Sequence, residues 1–347
     1  MTASPGSPSS APSGPATPEG GLALPILDAD LEARLRSRLA EVEKALEGHV
    51  VSEAPFVTEA ARHLLVAGGK RCRPLLVLLA AEAGDPSTPD VVTAACVVEL
   101  THLASLYHDD VMDEAALRRG EASANARWDN LVAILTGDFL FSKSSELTAD
   151  LGADAVRIQA RTFTRLVEGQ ILETLGPQEG DDPLEHYLRV VAGKTGSLIA
   201  TSALYGSRFA GAPADVVDAL TAYGEKVGIA FQLSDDSLAV MSDSEESGKT
   251  PGTDLREGVP TLPVLMALAS TDPADARLLE LLGSDLSDDD AHAEAPALLR
   301  AHPAVDEARA YVIGLARDAR ALLTALPPSP ARDALDAFAD LVATRTA

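Results

Sequence analysis

Lysine is scarce in this chain, cysteine almost absent, and strand-like alternation hard to find. The two cysteines, Cys72 and Cys96, have neither CxxC spacing nor a pairing context, which excludes a disulfide framework and a cysteine zinc site. Both are expected to be small buried residues. Basic side chains are outnumbered, with 28 Lys and Arg against 53 Asp and Glu and a formal net charge of −25. Such a surface disfavours nucleic acid and anionic lipid as partners. A polyanionic ligand must therefore be met by a local cationic patch or by metal ions. No internal repeat, heptad array or transmembrane run is found among the 347 residues.

The few lysines are placed unevenly. Of Lys44, Lys70, Lys143, Lys194, Lys226 and Lys249, three stand beside glycine or arginine, in Gly69-Lys70-Arg71-Cys72-Arg73, Gly193-Lys194-Thr195-Gly196 and Gly248-Lys249-Thr250. A chain that otherwise prefers arginine keeps lysine where a compact point charge is useful. Residues 1–24 are rich in Ser, Pro and Gly, too poor in large apolar side chains to offset the entropy of ordering. A disordered tail is expected there, lacking the features of a signal peptide or membrane anchor, and with it a cytoplasmic protein. No shift of composition divides residues 25–347, so one catalytic domain is expected.

What the sequence has in abundance is helical periodicity, with apolar residues at i, i+3, i+4 and i+7 from Ile26 onward. The fold class is predicted to be all-α, with helices over 27–48, 54–67, 72–84, 88–113, 121–127, 130–149, 153–174, 183–191, 194–209, 213–239, 260–269, 274–282 and 303–345. The segment Val91 to Asp113 is apolar nearly all round until its aspartates, as befits a central helix. Residues 214–236 read the same way. Two buried helices that both end in aspartates imply a bundle with a deep central cavity whose mouth is lined by facing carboxylates.

Those clusters are His108-Asp109-Asp110-Val111-Met112-Asp113 and Phe231-Gln232-Leu233-Ser234-Asp235-Asp236. Burying carboxylates costs several kcal/mol per ion unless cations compensate them. Asp109 and Asp113, at i and i+4, project from one helix face and suit a hard divalent ion such as Mg²⁺. A solvated helix end reads similarly, but here an apolar stretch precedes the cluster and Arg118-Arg119-Gly120 follows it. Two guanidiniums beside a metal cluster suit phosphate oxygens. Lys70 and Arg73 follow a Gly-Gly break at a helix start, itself an anion site. His102 lies two turns before Asp109 on the same face, where a lone histidine is more often a core residue than a ligand. Glu173 adds a carboxylate on another apolar helix, and Gln232 precedes Asp235 by one turn. The polar run Ser242–Glu257 is a solvated linker or a lid carrying Lys249.

Taken in order, these motifs resemble the trans-isoprenyl diphosphate synthase (polyprenyl synthetase) family, its bacterial long-chain members most closely, over roughly residues 25 to 347. The resemblance implies an isoprenoid synthase-type helical bundle that is a homodimer with no integral membrane segment. It implies Mg²⁺-dependent head-to-tail condensation of isopentenyl diphosphate with an allylic diphosphate. Asp109, Asp113 and Glu173 would hold two Mg²⁺ ions and Asp235 a third, while Arg118, Lys194 and Lys249 complete the cradle for the allylic diphosphate. Lys70, Arg73, His102 and Arg119 would hold isopentenyl diphosphate, and Thr195 and Gln232 would face the allylic cation with oxygen dipoles.

Two features modulate that expectation. The family's second cluster is usually Asp-Asp-x-x-Asp, whereas this one ends at Ala239, which leaves open a catalytically weak or partner-dependent subunit. In the family, aromatics four or five residues before the first aspartate stop the growing chain; Ser105 and Ala104 stand there. Their small size predicts a long product, in the C30 to C50 range, for quinone side chains. A C15 or C20 synthase is the alternative. Tyr107 points to the opposite helix face and is expected in packing. A terpene cyclase is disfavoured by Lys70, Arg73 and Arg119.

Overall fold

The structure is a computed structural model that describes residues 26–241, 255, 261–284, 286 and 288–344. The expected tail and the expected lid residue Lys249 lie outside them, as does the side chain of Ala239. The helices are α1 (Ala29–His49), α2 (Pro55–Val66), α3 (Cys72–Ala81), α4 (Pro89–Met112), α5 (Ala124–Arg127), α6 (Asn130–Asp150), α7 (Ala153–Leu175), α8 (Pro183–Val191), α9 (Ser197–Phe209), α10 (Ala214–Met241), α11 (Leu262–Leu268), α12 (Ala276–Leu282), α13 (Asp289–Ala301), α14 (Pro303–Leu322) and α15 (Pro330–Thr344). A π turn, Ala192–Gly196, joins α8 to α9.

Helix starts follow the side chains that can cap them. Asp28, Asp129 and Asp182 accept hydrogen bonds from the first free backbone N–H groups of α1, α6 and α8. Proline at the first helical position opens α2, α4 and α8, where its missing N–H costs nothing. The helix expected over 303–345 is instead two, because Pro327, Pro328 and Pro330 cannot continue it. A helix at 289–301 was not expected; Pro296 stands inside it.

The expected helix at 121–127 is also corrected. A short antiparallel hairpin, β1 (Leu117–Arg118) with β2 (Glu121–Ala122), precedes a single helical turn. Its two corner residues, Arg119 and Gly120, both take positive φ, 55° and 81°. That is the backbone of a tight hairpin turn, and it fixes two consecutive arginines at the rim of the bundle.

At the centre stands α4, whose Val91, Ala94, Val98 and Leu103 are fully buried. Among the described residues it is the one helix long and apolar enough to cross a membrane, and it lies in the protein core. It packs on α1, α3, α6 and α9, while α10 packs on α9, α14 and the π turn. A second, smaller apolar cluster joins α11, α12, α13 and the start of α14. Tyr107 is fully buried, its hydroxyl donating to the Ala60 carbonyl at 2.5 Å, so it serves packing as expected.

Candidate active site

The lower ends of α4 and α10 face one cavity of about 550 Å³. Asp109 and Asp235 both line it, so the two acidic clusters share one space. Lys70, Arg73, His102, Ser105, Arg118, Arg119, Lys194, Thr195 and Gln232 line it as well. The residues that sequence reasoning selected are thus largely gathered together. Cys72 lines the cavity too and is only half-buried, which corrects its placement in the core.

One wall is cationic. Burial pulls the Arg73 and Arg119 guanidiniums below the usual arginine range, which marks charges in want of an anion. Arg119 is held by the backbone, donating to the carbonyls of Leu64 at 2.7 Å and of Gly68. This close approach requires Gly69, since a side chain there would meet the guanidinium at 2.9 Å. His102 lies in the same wall. Burial first, then the charges of Arg73 and Arg119, keep its ring well below the usual histidine range and hence neutral at pH 7.

The arginine between them has another task. Arg71 is buried and donates to Glu43, Glu99 and the Leu65 carbonyl. Its two carboxylates consume its charge, so Lys70-Arg71-Cys72-Arg73 divides into cavity residues and one structural anchor. Glu99 is itself buried, and only three-dimensional placement distinguishes Arg71 from its neighbours.

The acidic wall has the opposite imbalance. Burial raises the Asp109 carboxyl to about 6; Lys194 and Arg118 pull it down, and the Asp113 and Glu173 carboxylates push it up. Asp110, wholly buried, accepts from Arg118 Nε at 2.6 Å, and the same guanidinium reaches Asp113 at 4.0 Å. Asp113 and Glu173 are half-exposed at the rim rather than in the cavity wall. Glu173 accepts from Lys194 Nζ at 2.5 Å.

This donor set fits a metal bound together with its substrate. Among the described residues no three acidic, histidine or cysteine side chains form a ready-made metal cage. Mg²⁺ does not ask for one, because it binds through one or two carboxylates, substrate phosphates and retained water. Asp109 supplies a partly buried carboxylate whose charge is poorly compensated, and Asp110 has a buried oxygen without a hydrogen bond.

Opposite, the π turn presents Lys194 and Thr195. Helix α7 meets it closely, with a side chain at Gly169 placed 2.6 Å from the Lys194 backbone nitrogen. Thr195 donates to Gln232 Oε1 at 2.8 Å, and Gln232 Nε2 donates to Asp236 Oδ1 at 2.8 Å. The Tyr187 hydroxyl donates to the other oxygen, Asp236 Oδ2, at 2.5 Å. Sequence reasoning missed Tyr187 and did not tell Asp110 and Arg71 apart from their neighbours. Tyr187 carries no sequence signal beyond its place one turn before the π turn.

Beside Ser105 and Asp109 the space continues. A second, mostly apolar cavity of about 380 Å³ shares Ser105, Asp109 and Leu166 with the first. A third of about 450 Å³ shares His108, Phe141 and Phe163 with the second. The Phe141 and Phe163 rings meet at 4.6 Å between centroids. Ser105 thus stands on the wall as expected. Ala104 does not, being fully buried, with its carbonyl turned toward Gly137 on α6.

Comparison with known proteins gives this geometry its family. The polyprenyl synthetase family model matches residues 54–299. A nonaprenyl diphosphate synthase of Mycobacterium tuberculosis is 46% identical over 332 residues, 95% of this chain and 98% of that protein. Among solved structures, a geranylgeranyl pyrophosphate synthase from Corynebacterium glutamicum, complexed with calcium and isoprenyl diphosphate, superposes with a TM-score of 0.85 at 43% identity. It covers 93% of this chain and 99% of its own. A decaprenyl diphosphate synthase from Rhodobacter capsulatus gives 0.82 at 37% identity, covering 92% and 99%. The chain belongs to the polyprenyl synthetase family and is a trans-prenyl diphosphate synthase, a prenyltransferase.

Proposed function

We propose that this synthase extends an allylic diphosphate such as farnesyl diphosphate with isopentenyl diphosphate to a long all-trans chain, in the C30 to C50 range, for quinone side chains. The observation that carries the reading is the small Ser105 on the cavity wall, with mostly apolar space continuing beside it. Similarity to a nonaprenyl and a decaprenyl diphosphate synthase supports it. Residues 25–347 act as one catalytic domain in the cytoplasm.

Arg73, Arg119, Lys70 and the neutral His102 bind the diphosphate of isopentenyl diphosphate. Arg118 and Lys194, with Lys249, bind the allylic diphosphate on the acidic side. Asp109, Asp113, Glu173 and Asp235 hold Mg²⁺, three ions with substrate bound, which supplies charge neutralisation for the departing diphosphate. The allylic carbon–oxygen bond breaks, the isopentenyl double bond attacks the cationic carbon, and the new carbon–carbon bond forms. Loss of one proton to the released diphosphate restores a double bond. Thr195 and Gln232 turn oxygens toward the cationic carbon, and the apolar walls keep water from it.

Homodimerisation is supported by an apolar face on α6 and α7, where Leu131, Leu135 and Ile171 are each at least half exposed. The test of function is to incubate the purified protein with farnesyl diphosphate and radiolabelled isopentenyl diphosphate, then size the dephosphorylated products. A ladder that ends within C30 to C50 supports the long-chain reading. Products that stop at C20 establish the short-chain alternative, which the likeness to a geranylgeranyl pyrophosphate synthase favours.

A further inference from the structure

The two aspartates that open the second cluster face different spaces. Asp235 lines the large cavity, while Asp236 lines a smaller one of about 190 Å³ behind it, together with Tyr187 from α8. Lys194, Thr195 and Gln232 form the partition between the two. Asp236 does not line the large cavity that Asp109 and Asp235 share, although Glu173 and Lys194 border the smaller one with it.

What it does can be read from the direction of its hydrogen bonds. A carboxylate only accepts, so Gln232 must turn its amide nitrogen toward Asp236 Oδ1, and its carbonyl oxygen then lies toward the Thr195 hydroxyl. Without that acceptor the amide is free to rotate by half a turn, which would set N–H groups where the oxygen now lies. Beside a developing carbocation the two orientations differ in sign, because an N–H dipole repels what a carbonyl dipole attracts. The Tyr187 hydroxyl, donating to Asp236 Oδ2 at 2.5 Å, holds the carboxylate itself. Tyr187 is nearly buried, so this bond is formed in a low-dielectric setting where direction counts most.

We propose that Tyr187 and Asp236 are positioning residues, which fix the Gln232 amide with its oxygen on the Thr195 side and its N–H groups away from the reacting carbon. The inference rests on the prenyl-transfer assignment and on no particular product length. It gives the second aspartate of the cluster an orienting role.

Single-turnover condensation of farnesyl diphosphate with one isopentenyl unit tests it, in Tyr187→Phe, Gln232→Met and the double variant. Tyr187→Phe is expected to slow this step by about tenfold, with the half-saturating concentration of either diphosphate changed by less than about twofold. In the Gln232→Met background the same substitution should cost less than about twofold, since no amide remains to orient. The rise in thermal midpoint that Mg²⁺ and inorganic pyrophosphate produce should match the parent's, because diphosphate binding does not use the amide. A full tenfold penalty in both backgrounds overturns the proposal, as does an unchanged rate in Tyr187→Phe. Asp236→Asn serves as a second variant if Tyr187→Phe folds poorly, with the same coupling to Gln232 expected. A parent that condenses nothing would refute the activity itself, an outcome distinct from these. Since only the first condensation is scored, a wrong final length does not count against the proposal.

Discussion

The two acidic clusters look alike as sequence and are built differently. In each, the first aspartate faces the large cavity and the second turns aside. Asp110 turns to Arg118, a cation, whereas Asp236 turns to a phenol and an amide. The first cluster thereby fixes a charge that can grip phosphate, and the second fixes a dipole. An adjacent pair of carboxylates need not be a pair of metal ligands, because successive helical residues stand about 100° apart and cannot both face one ion.

The largest test of this contrast removes the cavity-facing carboxylates. Asp109→Asn and Asp235→Asn should each lower condensation by about a hundredfold or more, with the parent fold retained by circular dichroism. Asp109 should suffer more, since Asp113 and Glu173 depend on it to complete their site. Equal losses would erase the asymmetry between the clusters. Next, Asp110→Asn should loosen Arg118 and raise the half-saturating allylic diphosphate by about tenfold while changing the maximal rate less. A loss confined to the rate would place Arg118 in the chemistry instead.

A smaller effect concerns protons. Burial lifts the Asp109 carboxyl to about 6, above the ordinary aspartate value of 3.8, so the folded metal-free protein prefers it protonated. The linked stability is present at low pH and lost as pH rises through about 6. Asp109→Asn should therefore stabilise the metal-free protein by about 2 kcal/mol at pH about 7.5, and by almost nothing near pH 4, measured by urea unfolding. Activity should follow the opposite slope, falling as pH drops below about 6 and recovering in part with added Mg²⁺. The smallest effect is on product length alone. Ser105→Phe should shorten the ladder and Phe141→Ala lengthen it, with the first condensation nearly unchanged, read by product sizing.

Much of this was legible in the sequence where one residue type had one plausible task. The helical bundle, the buried α4 and the meeting of Asp109 with Asp235 follow from apolar periodicity and from the cost of burying carboxylates. Arg73, Arg119 and His102 were legible as a group only through the family resemblance, since a lone helical histidine reads first as a core residue. What stayed hidden depended on contacts across helices. Arg71 reads like Arg73 until Glu43 and Glu99 are brought to it, and Ala104 reads like Ser105 until α6 covers it. The hairpin at Arg118 and Arg119 was missed because two-residue strands leave no alternation to find. The division of the last helix is written in Pro327, Pro328 and Pro330, against an apolar periodicity that continues on both sides of them.

The π turn has a consequence for phase. On an unbroken α-helix, Tyr187 and Thr195 would stand about 80° apart around the axis, too far to serve the same neighbour equally. A wider turn advances less per residue and takes up most of that angle. Both side chains then reach α10, one at Asp236 and the other at Gln232. An unbroken α-helix one residue shorter would set the two about 20° apart, so the π turn accommodates one extra residue between Tyr187 and Thr195 while both keep facing α10.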